Sequence, residues 1–254
     1  MIVTVDAVVL RTMKYRESST IATLYTRQSG KIQVIAKGAR GSKSRMAAAL
    51  QAMNHVAAVV YRKESRELHL LTQCDLVRPQ RGLTEDMERM AVGMAAVELV
   101  DAVTPAEEEN VPLFELLTLT LAAAGNATKN PGNALYYFEM RLLENLGFKP
   151  EMHRCYNCGA VLEDLEHRHG LHMSYGGVVC ASCSAQGLGR EALSATAIRV
   201  LQRLQEMDGP HAVMRMTLSP AVRGEVAGVL RRFLLGHVEG LRTLRSEAVF
   251  SSLL

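Results

Sequence analysis

The sequence contains no tryptophan, and its few Phe and Tyr residues bring the aromatic share to only 5%. Aromatic anchors are thereby excluded as the main packing material. Aliphatic side chains and 13 methionines must fill the core instead. Long apolar runs are missing too. The uncharged apolar stretch from Leu116 to Thr128 is too short to span a bilayer and reads as a buried helix. Met1 to Asp6 lack the basic start and apolar run of a secretory signal. A soluble protein of a reducing compartment, with no membrane partner, is expected. Cysteine is also scarce. There are five, four of them in two CxxC pairs, and in a reducing compartment this pattern favours metal over disulfides. Cys74 stands alone in a strand-like run and is expected to be a small core residue.

Several catalytic signatures are absent. The glycine-rich stretch around Gly38 and Gly41 lacks the Gly-Lys-Ser/Thr ending of a phosphate-binding loop. No nucleophile elbow is present, and no carboxylate pair shows catalytic logic. Glu107, Glu108 and Glu109 read as a solvated charge run. No His-x-Glu precedes a CxxC as zinc deaminase chemistry requires. An enzyme is therefore not expected.

What is present suffices for a packed core: 48% of the 254 residues are hydrophobic, enough for one large or two small domains. Charge is unevenly spread. Residues 1–80 carry 13 Lys and Arg against 5 Asp and Glu, a net of +8, whereas the remainder carries 16 against 21, a net of −5. A basic first third on an acidic chain suits an anionic partner.

That first third reads as short strands. Val3, Val5, Ala7 and Val9 alternate; Ile21 to Thr26 form a second run; Ser29-Gly30 breaks it; Ile32, Val34 and Ala36 alternate again. Val56 to Tyr61, and the stretch from Leu68 to Val77, complete five strands, the number that closes a small OB-fold barrel. Helical signals follow Pro79. Thr84 is an expected N-cap, and Met87, Met90, Met94 and Val97 an expected apolar stripe. A second helix is expected over about Pro112 to Ala124, and a third from near Pro131 with Leu135, Phe138, Leu142 and Leu146 on one face. Ser194 and Ser219-Pro220 open two more helices, the last with Val222, Val226, Val229 and Phe233 buried. The fold class is α+β. It comprises an OB-fold β-barrel (1–80), a helical domain in two parts (81–150 and 188–254), and an inserted four-cysteine zinc module (151–187).

Within the insert, Cys155-Tyr-Asn-Cys158 and Cys180-Ala-Ser-Cys183 are separated by a stretch that reads as a hairpin. Two residues between cysteines let both sulfurs face one point, and two such knuckles supply the four ligands of one structural zinc ion. Four thiolates leave no open position for a catalytic water. His167, His169 and His172 lie between the pairs and read as exposed loop imidazoles.

In the basic third, Lys14 and Arg16 fall in the loop after the first strand, and Arg27 and Lys31 flank the Ser29-Gly30 turn. Lys37, Arg40, Lys43 and Arg45 alternate with small residues that let a nucleic-acid backbone approach. Tyr15 and Tyr25 could stack on bases.

These residues carry a family resemblance. Asp6-Ala-Val-Val-Leu-Arg11, Tyr15-Arg-Glu-Ser18, Leu24-Tyr-Thr-Arg27 with Gly30-Lys31, and above all Ala36-Lys-Gly-Ala-Arg40 with Ser42-Lys-Ser-Arg45, resemble the RecO DNA repair family. So do the run from Tyr137 to Gly147 and the doubled CxxC. The resemblance implies binding to single- and double-stranded DNA and annealing of complementary strands. It also implies help, with RecR, in loading RecA on DNA coated by single-strand-binding protein, and a cytoplasmic, nucleoid-associated place. The barrel cations would contact phosphates. A cation beside an apolar groove, Lys129 or Arg141, would suit the acidic C-terminal tail of single-strand-binding protein. The competing reading is a zinc-containing protein-interaction module without direct DNA binding.

Overall fold

A computed structural model describes residues 1–41, 44–63, 66–162, 169–172, 176–189 and 191–250. Five strands form a closed barrel: β1 (Ile2–Tyr15), β2 (Ser19–Thr26), β3 (Gly30–Ala36), β4 (His55–Tyr61) and β5 (Leu68–Arg78). Their order around the barrel is β1-β2-β3-β5-β4, closing on β1. The only parallel pairing among them is β3 with β5, Gln33 opposite Leu68 through Ala36 opposite Leu71. This is the OB-type arrangement expected from the strand pattern. Alternation decides what points inward: Val5, Ala7, Val9, Leu24, Ile32, Val34, Val56, Ala58 and Val60 are buried together, with Cys74 among them. Burial pushes the Cys74 thiol up to about 11, with Asp75 adding to the effect. A short helix, α1 (Arg45–Ala49), joins β3 to β4.

Strand β1 is longer than its alternation suggests, because the register shifts between Val9 and Arg11. A bulge of this kind breaks the two-residue period without ending the pairing. Lys14 consequently lies within β1, opposite Thr20, and not in the following loop as expected; Arg16 alone of the two is in the turn.

The helices begin with α2 (Arg81–Thr84) and α3 (Met87–Val103). The cap of α3 is Asp86, whose carboxylate accepts from the Arg89 N–H, and not Thr84, whose hydroxyl donates to the Arg81 carbonyl. Of the expected stripe Val97 is buried, whereas Met87 is 63% exposed and Met90 and Met94 are half-buried; Ala91, Val92, Gly93, Ala95, Ala96, Leu99 and Val100 complete the buried face. Small residues let the neighbours approach closely. A Cβ at Gly93 would stand 2.5 Å from the Met53 sulfur. Helix α4 (Val111–Gly125) follows, capped by Asn110, whose side chain accepts from the Leu113 N–H. No helix among the described residues is long and apolar enough to cross a membrane.

The chain divides into two compact units, Met1–Ala127 with the chain's end from Thr243, and Thr128–Arg242. In the first, α10 (Arg245–Phe250) returns to α3, where the Glu98 carboxylate accepts from the Arg245 and Ser246 N–H groups. The second is built around α5 (Gly132–Asn145), which packs against α7 (Ala195–Glu206), α8 (Pro210–Val213) and α9 (Pro220–His237). The helix before the cysteines and those after them thus share one core. With partners on several sides, α5 is buried over far more than one face; Leu146, expected on that face, is its half-buried C-cap. Glu139 is enclosed with it, and burial pushes its carboxyl up to about 8 against the opposing pull of Arg231.

Candidate metal centre and nucleic-acid interface

The second unit carries a three-stranded sheet of β6 (His169–His172), β7 (Gly177–Val179) and β8 (Glu191–Leu193), in the order β7-β6-β8. The antiparallel β6–β7 pair is the hairpin expected between the cysteine pairs. It delivers Cys180 to the start of a short helix, α6 (Ala181–Ala185), which carries Cys183. The first knuckle is fastened to this hairpin by the Tyr156 N–H, which donates to the Val178 carbonyl at 2.9 Å. Gly159 takes φ +74° and lets the chain turn back, its N–H donating to the Cys155 carbonyl. The module is tied to α7 by Gln202 and Gln205, whose amides donate to the carbonyls of Met152 and Pro150.

These restraints bring the sulfurs of Cys155, Cys158, Cys180 and Cys183 to within 4.8 Å of one another. The Cys158 and Cys180 sulfurs are 3.8 Å apart. Tetrahedral ligands about 2.3 Å from a zinc ion are separated by about 3.8 Å, so the spacing fits. The Cys180 N–H donates to the Cys155 sulfur at 3.2 Å, and the Asn157 amide to the Cys183 sulfur at 3.4 Å. Such donors favour thiolates, the form that ligates metal. Burial opposes ionisation of Cys155, but the amides of Cys158, Cys180 and Asn157 outweigh it and pull the thiol down to about 6. Among the described residues this is the one group of three or more metal-ligating side chains close enough to share an ion, and it contains no histidine. His169 and His172 lie on β6, the first buried and the second half-buried, and not in an exposed loop as expected; His167 lies outside the described residues.

The barrel cations separate into two sets. Strand register places Val8, Tyr25 and Lys31 in one row across the outer face of β1, β2 and β3. Helices cover this end: Tyr25 is fully buried, its hydroxyl 3.5 Å from the Asn110 carbonyl. Burial, with Glu108 second, pushes that hydroxyl up to about 12. Tyr25 is therefore a core residue and cannot stack on a base. The cations here are paired. Arg11 meets Asp101 at 2.6 Å, and the Lys31 ammonium donates to the Asp101 carbonyl and lies 3.6 Å from its carboxylate. Arg27 lies 3.0 Å from Glu115 and 3.7 Å from Asp6. The acidic loop before α4 docks on the same end. Its Glu107 N–H donates to the Lys31 carbonyl, and its carboxylate binds Arg62 and His69, both at 2.9 Å. The His69 hydrogen bond, followed by the nearby Arg62 charge, holds the Glu107 carboxyl below its usual range despite partial burial. Gly30, with φ +60°, is required there: a Cβ would lie 1.9 Å from the Glu108 carbonyl oxygen.

The other end is open. Lys14 lies opposite Thr20, and Thr20 opposite Ala36, so Lys14, Arg16 and Lys37 gather where β1 and β3 finish. All three are exposed and make no ion pair with a carboxylate among the described residues. Arg40 is exposed too, yet its guanidinium donates to the carbonyls of Arg16 and Glu17 at 3.1 and 3.0 Å, and its own N–H donates to the Ser18 carbonyl. It latches the loop after β3 to the β1–β2 turn, where Arg16 holds φ +51°. Lys43 and the Arg45 side chain lie outside the described residues. Exposed Lys63, Arg66 and Arg78 also belong to the barrel and were not among the expected contacts. Only their share in the net charge of residues 1–80 could have signalled them.

A closed OB-type barrel in series with a helical unit, the latter bearing four converging cysteines, defines a class of protein: a basic barrel joined to helices that carry a metal-binding knuckle pair. Comparison with known proteins narrows the class. Residues 1–80 match the family described as Recombination protein O N terminal, and residues 84–247 match Recombination protein O C terminal. The chain is 34% identical over 251 residues to the DNA repair protein RecO of Symbiobacterium thermophilum, covering 98% of this chain and 96% of that one. It is 34% identical over 253 residues to the DNA repair protein RecO of Salinibacter ruber, covering 99% and 94%, and 29% identical to that of Chloroherpeton thalassium, covering 98% and 97%. The chain belongs to the RecO family of DNA repair proteins.

Proposed function

We propose that the chain is a DNA-binding recombination mediator without enzymatic activity. It binds single- and double-stranded DNA and anneals complementary strands. With RecR, it helps load RecA on DNA coated by single-strand-binding protein, whose C-terminal tail it recognises. The observation that carries the reading is the open end of the barrel, where Lys14, Arg16, Lys37 and Arg40 stand exposed and unneutralised. Cations left without acidic partners release counterions when they meet phosphates, which supplies sequence-independent affinity. Lys43 and Arg45 belong to the same stretch of sequence and join them as phosphate contacts. Arg27 and Lys31 serve mainly to tie the barrel to the helices through Glu115 and Asp101. For the tail, Lys129 is the preferred cation: Arg141 is already engaged by Glu144 and the Met207 carbonyl, both at 2.6 Å.

The four cysteines would hold one structural zinc ion per chain. It would supply folding energy to the second unit and no reaction chemistry, since four thiolates fill its shell.

Affinity for both DNA forms, measured across salt concentrations alongside annealing of complementary strands and metal content, tests the reading. Binding should fall linearly on a log–log plot as salt rises, annealing should accelerate, and about one zinc should accompany each chain. Binding indifferent to salt, or complementary strands left to anneal at their unassisted rate, would overturn it.

A further inference from the structure

The four converging cysteines are not equivalent. Cys155 and Cys183 are buried, at 1% and 5% exposure, whereas Cys180 is half-buried and Cys158 is exposed. The buried pair is also held in place. The Cys155 N–H donates to the Ala160 carbonyl, and the Cys155 carbonyl accepts from Gly159; the Cys183 carbonyl accepts from Gln186. Each buried sulfur receives an N–H group as well, Cys155 from the Cys180 backbone and Cys183 from the Asn157 amide. Among the described residues, no N–H group donates to the sulfur of Cys158 or Cys180. These two less restrained sulfurs come from different knuckles and stand 3.8 Å apart.

An oxidant must reach a sulfur before it can react, so access ranks Cys158 first, Cys180 second and the buried pair last. A disulfide needs its sulfurs about 2.05 Å apart, so the 3.8 Å gap closes with a movement of under about 2 Å. Rotation of the exposed Cys158 side chain is enough for that. Pairing within a knuckle would instead draw on Cys155 or Cys183 and break the N–H bonds that hold their sulfurs. Cys74, 4% exposed in the barrel core, is out of reach of both oxidant and partner.

Resting on the zinc reading above, we propose that Cys158 is a modification site for hydroperoxides and Cys180 its resolving partner, so that oxidation replaces the metal by a disulfide between the knuckles. The Cys158 thiolate attacks one peroxide oxygen. The S–O bond forms, the O–O bond breaks, and the departing hydroxide takes up a proton to become water. The Cys180 thiolate then attacks the Cys158 sulfur. The S–S bond forms as the S–O bond breaks, and the second hydroxide is protonated in turn. Two thiolates together lose two electrons, and one peroxide gains them. With two thiolates consumed, the site no longer holds its ion. The outcome differs from chelation, because a covalent link still joins the knuckles and a dithiol can reverse it.

The test treats the zinc-loaded full chain with hydrogen peroxide and follows metal release with a chromogenic chelator, against a sample without peroxide. Alkylation then traps the remaining thiols, and mass spectrometry maps the cysteines. Zinc release and a Cys158–Cys180 disulfide should rise together and end near about one of each per chain. Cys155, Cys183 and Cys74 should remain open to alkylation after denaturation. Dithiothreitol with added zinc should restore both the thiols and the metal. Cys158→His keeps a metal ligand but no sulfur, and should lose the peroxide-induced release. The mapping on the parent decides the matter even if that variant fails to fold. A first disulfide within one CxxC pair or between Cys155 and Cys183 would contradict the assignment. So would Cys158 oxidised with no disulfide, or zinc retained while exposed Met87 turns to sulfoxide. Failure of the zinc reading looks different: the untreated parent would then carry no zinc.

Discussion

The two ends of the barrel treat positive charge in opposite ways. At the covered end, Arg11, Arg27, Lys31 and Arg62 each meet a carboxylate, from Asp101, Glu115 or Glu107. At the open end, Lys14, Arg16 and Lys37 meet none among the described residues, and Arg40 bonds only to backbone carbonyls. Both ends come from one basic stretch of chain, so local composition does not separate them. The difference arises because α3, the acidic loop and α4 dock on one end and bring acids with them. A cation bound to its own chain fastens the fold, whereas one left unpaired is available to a partner.

The second unit provides contrasts that sharpen this picture. The largest effect should come from metal removal. Chelation, or Cys158→Ser, should unfold the cysteine module, at a cost on the order of 10 kcal/mol in metal-dependent stability if it behaves like isolated zinc knuckles. Circular dichroism and metal release would follow the loss. If the barrel cations are the DNA site, the salt slope of binding should persist; a slope lost along with the metal would mean they are not.

Glu139 represents a third treatment of charge, suppression by burial. Its carboxyl is raised to about 8, so the folded state holds a proton that the unfolded chain has lost from about pH 4.5 upward. Its contribution therefore falls as pH rises from about 4.5 through about 8. Glu139→Gln should leave stability at pH 5 nearly unchanged and raise it by on the order of 4 kcal/mol at pH 9. Denaturant melts at the two pH values would check this, and a benefit that fails to grow with pH would show that Glu139 stays ionised.

A smaller effect is expected at the covered end. Asp101→Asn removes the acidic partner of Arg11 and Lys31, which are partly exposed, and should cost about 1 kcal/mol of stability. If pairing is what withholds these cations, duplex affinity should stay level or rise slightly. A severalfold drop in affinity would place Asp101 in the DNA site and erase the distinction between the ends.

Much of this was legible in the sequence. The two-residue alternation marked five strands; Ser194 and Ser219 cap their helices through side-chain bonds to Ala197 and Val222; and the doubled CxxC implied converging sulfurs. What escaped depends on distance along the chain or on packing. The pairing of Lys31 with Asp101 spans 70 residues, and nothing near Lys31 announces it. The buried face of α3 includes three alanines and a glycine beside its valines and Leu99, because close approach favours small side chains, which a search for large apolar residues passes over. The bulge after Val9 moved Lys14 from an expected loop into a strand. Tyr25 could be assigned to the core only once Phe114 and Asn110 were seen beside it.

The salt dependence of duplex binding by a Lys14→Gln, Lys37→Gln protein tests the central claim most directly. Each lost phosphate contact should flatten the log–log slope by about 0.9, so the two together should remove about 1.8 and weaken binding for all sequences alike. A slope equal to that of the parent would place the phosphate contacts elsewhere on the molecule.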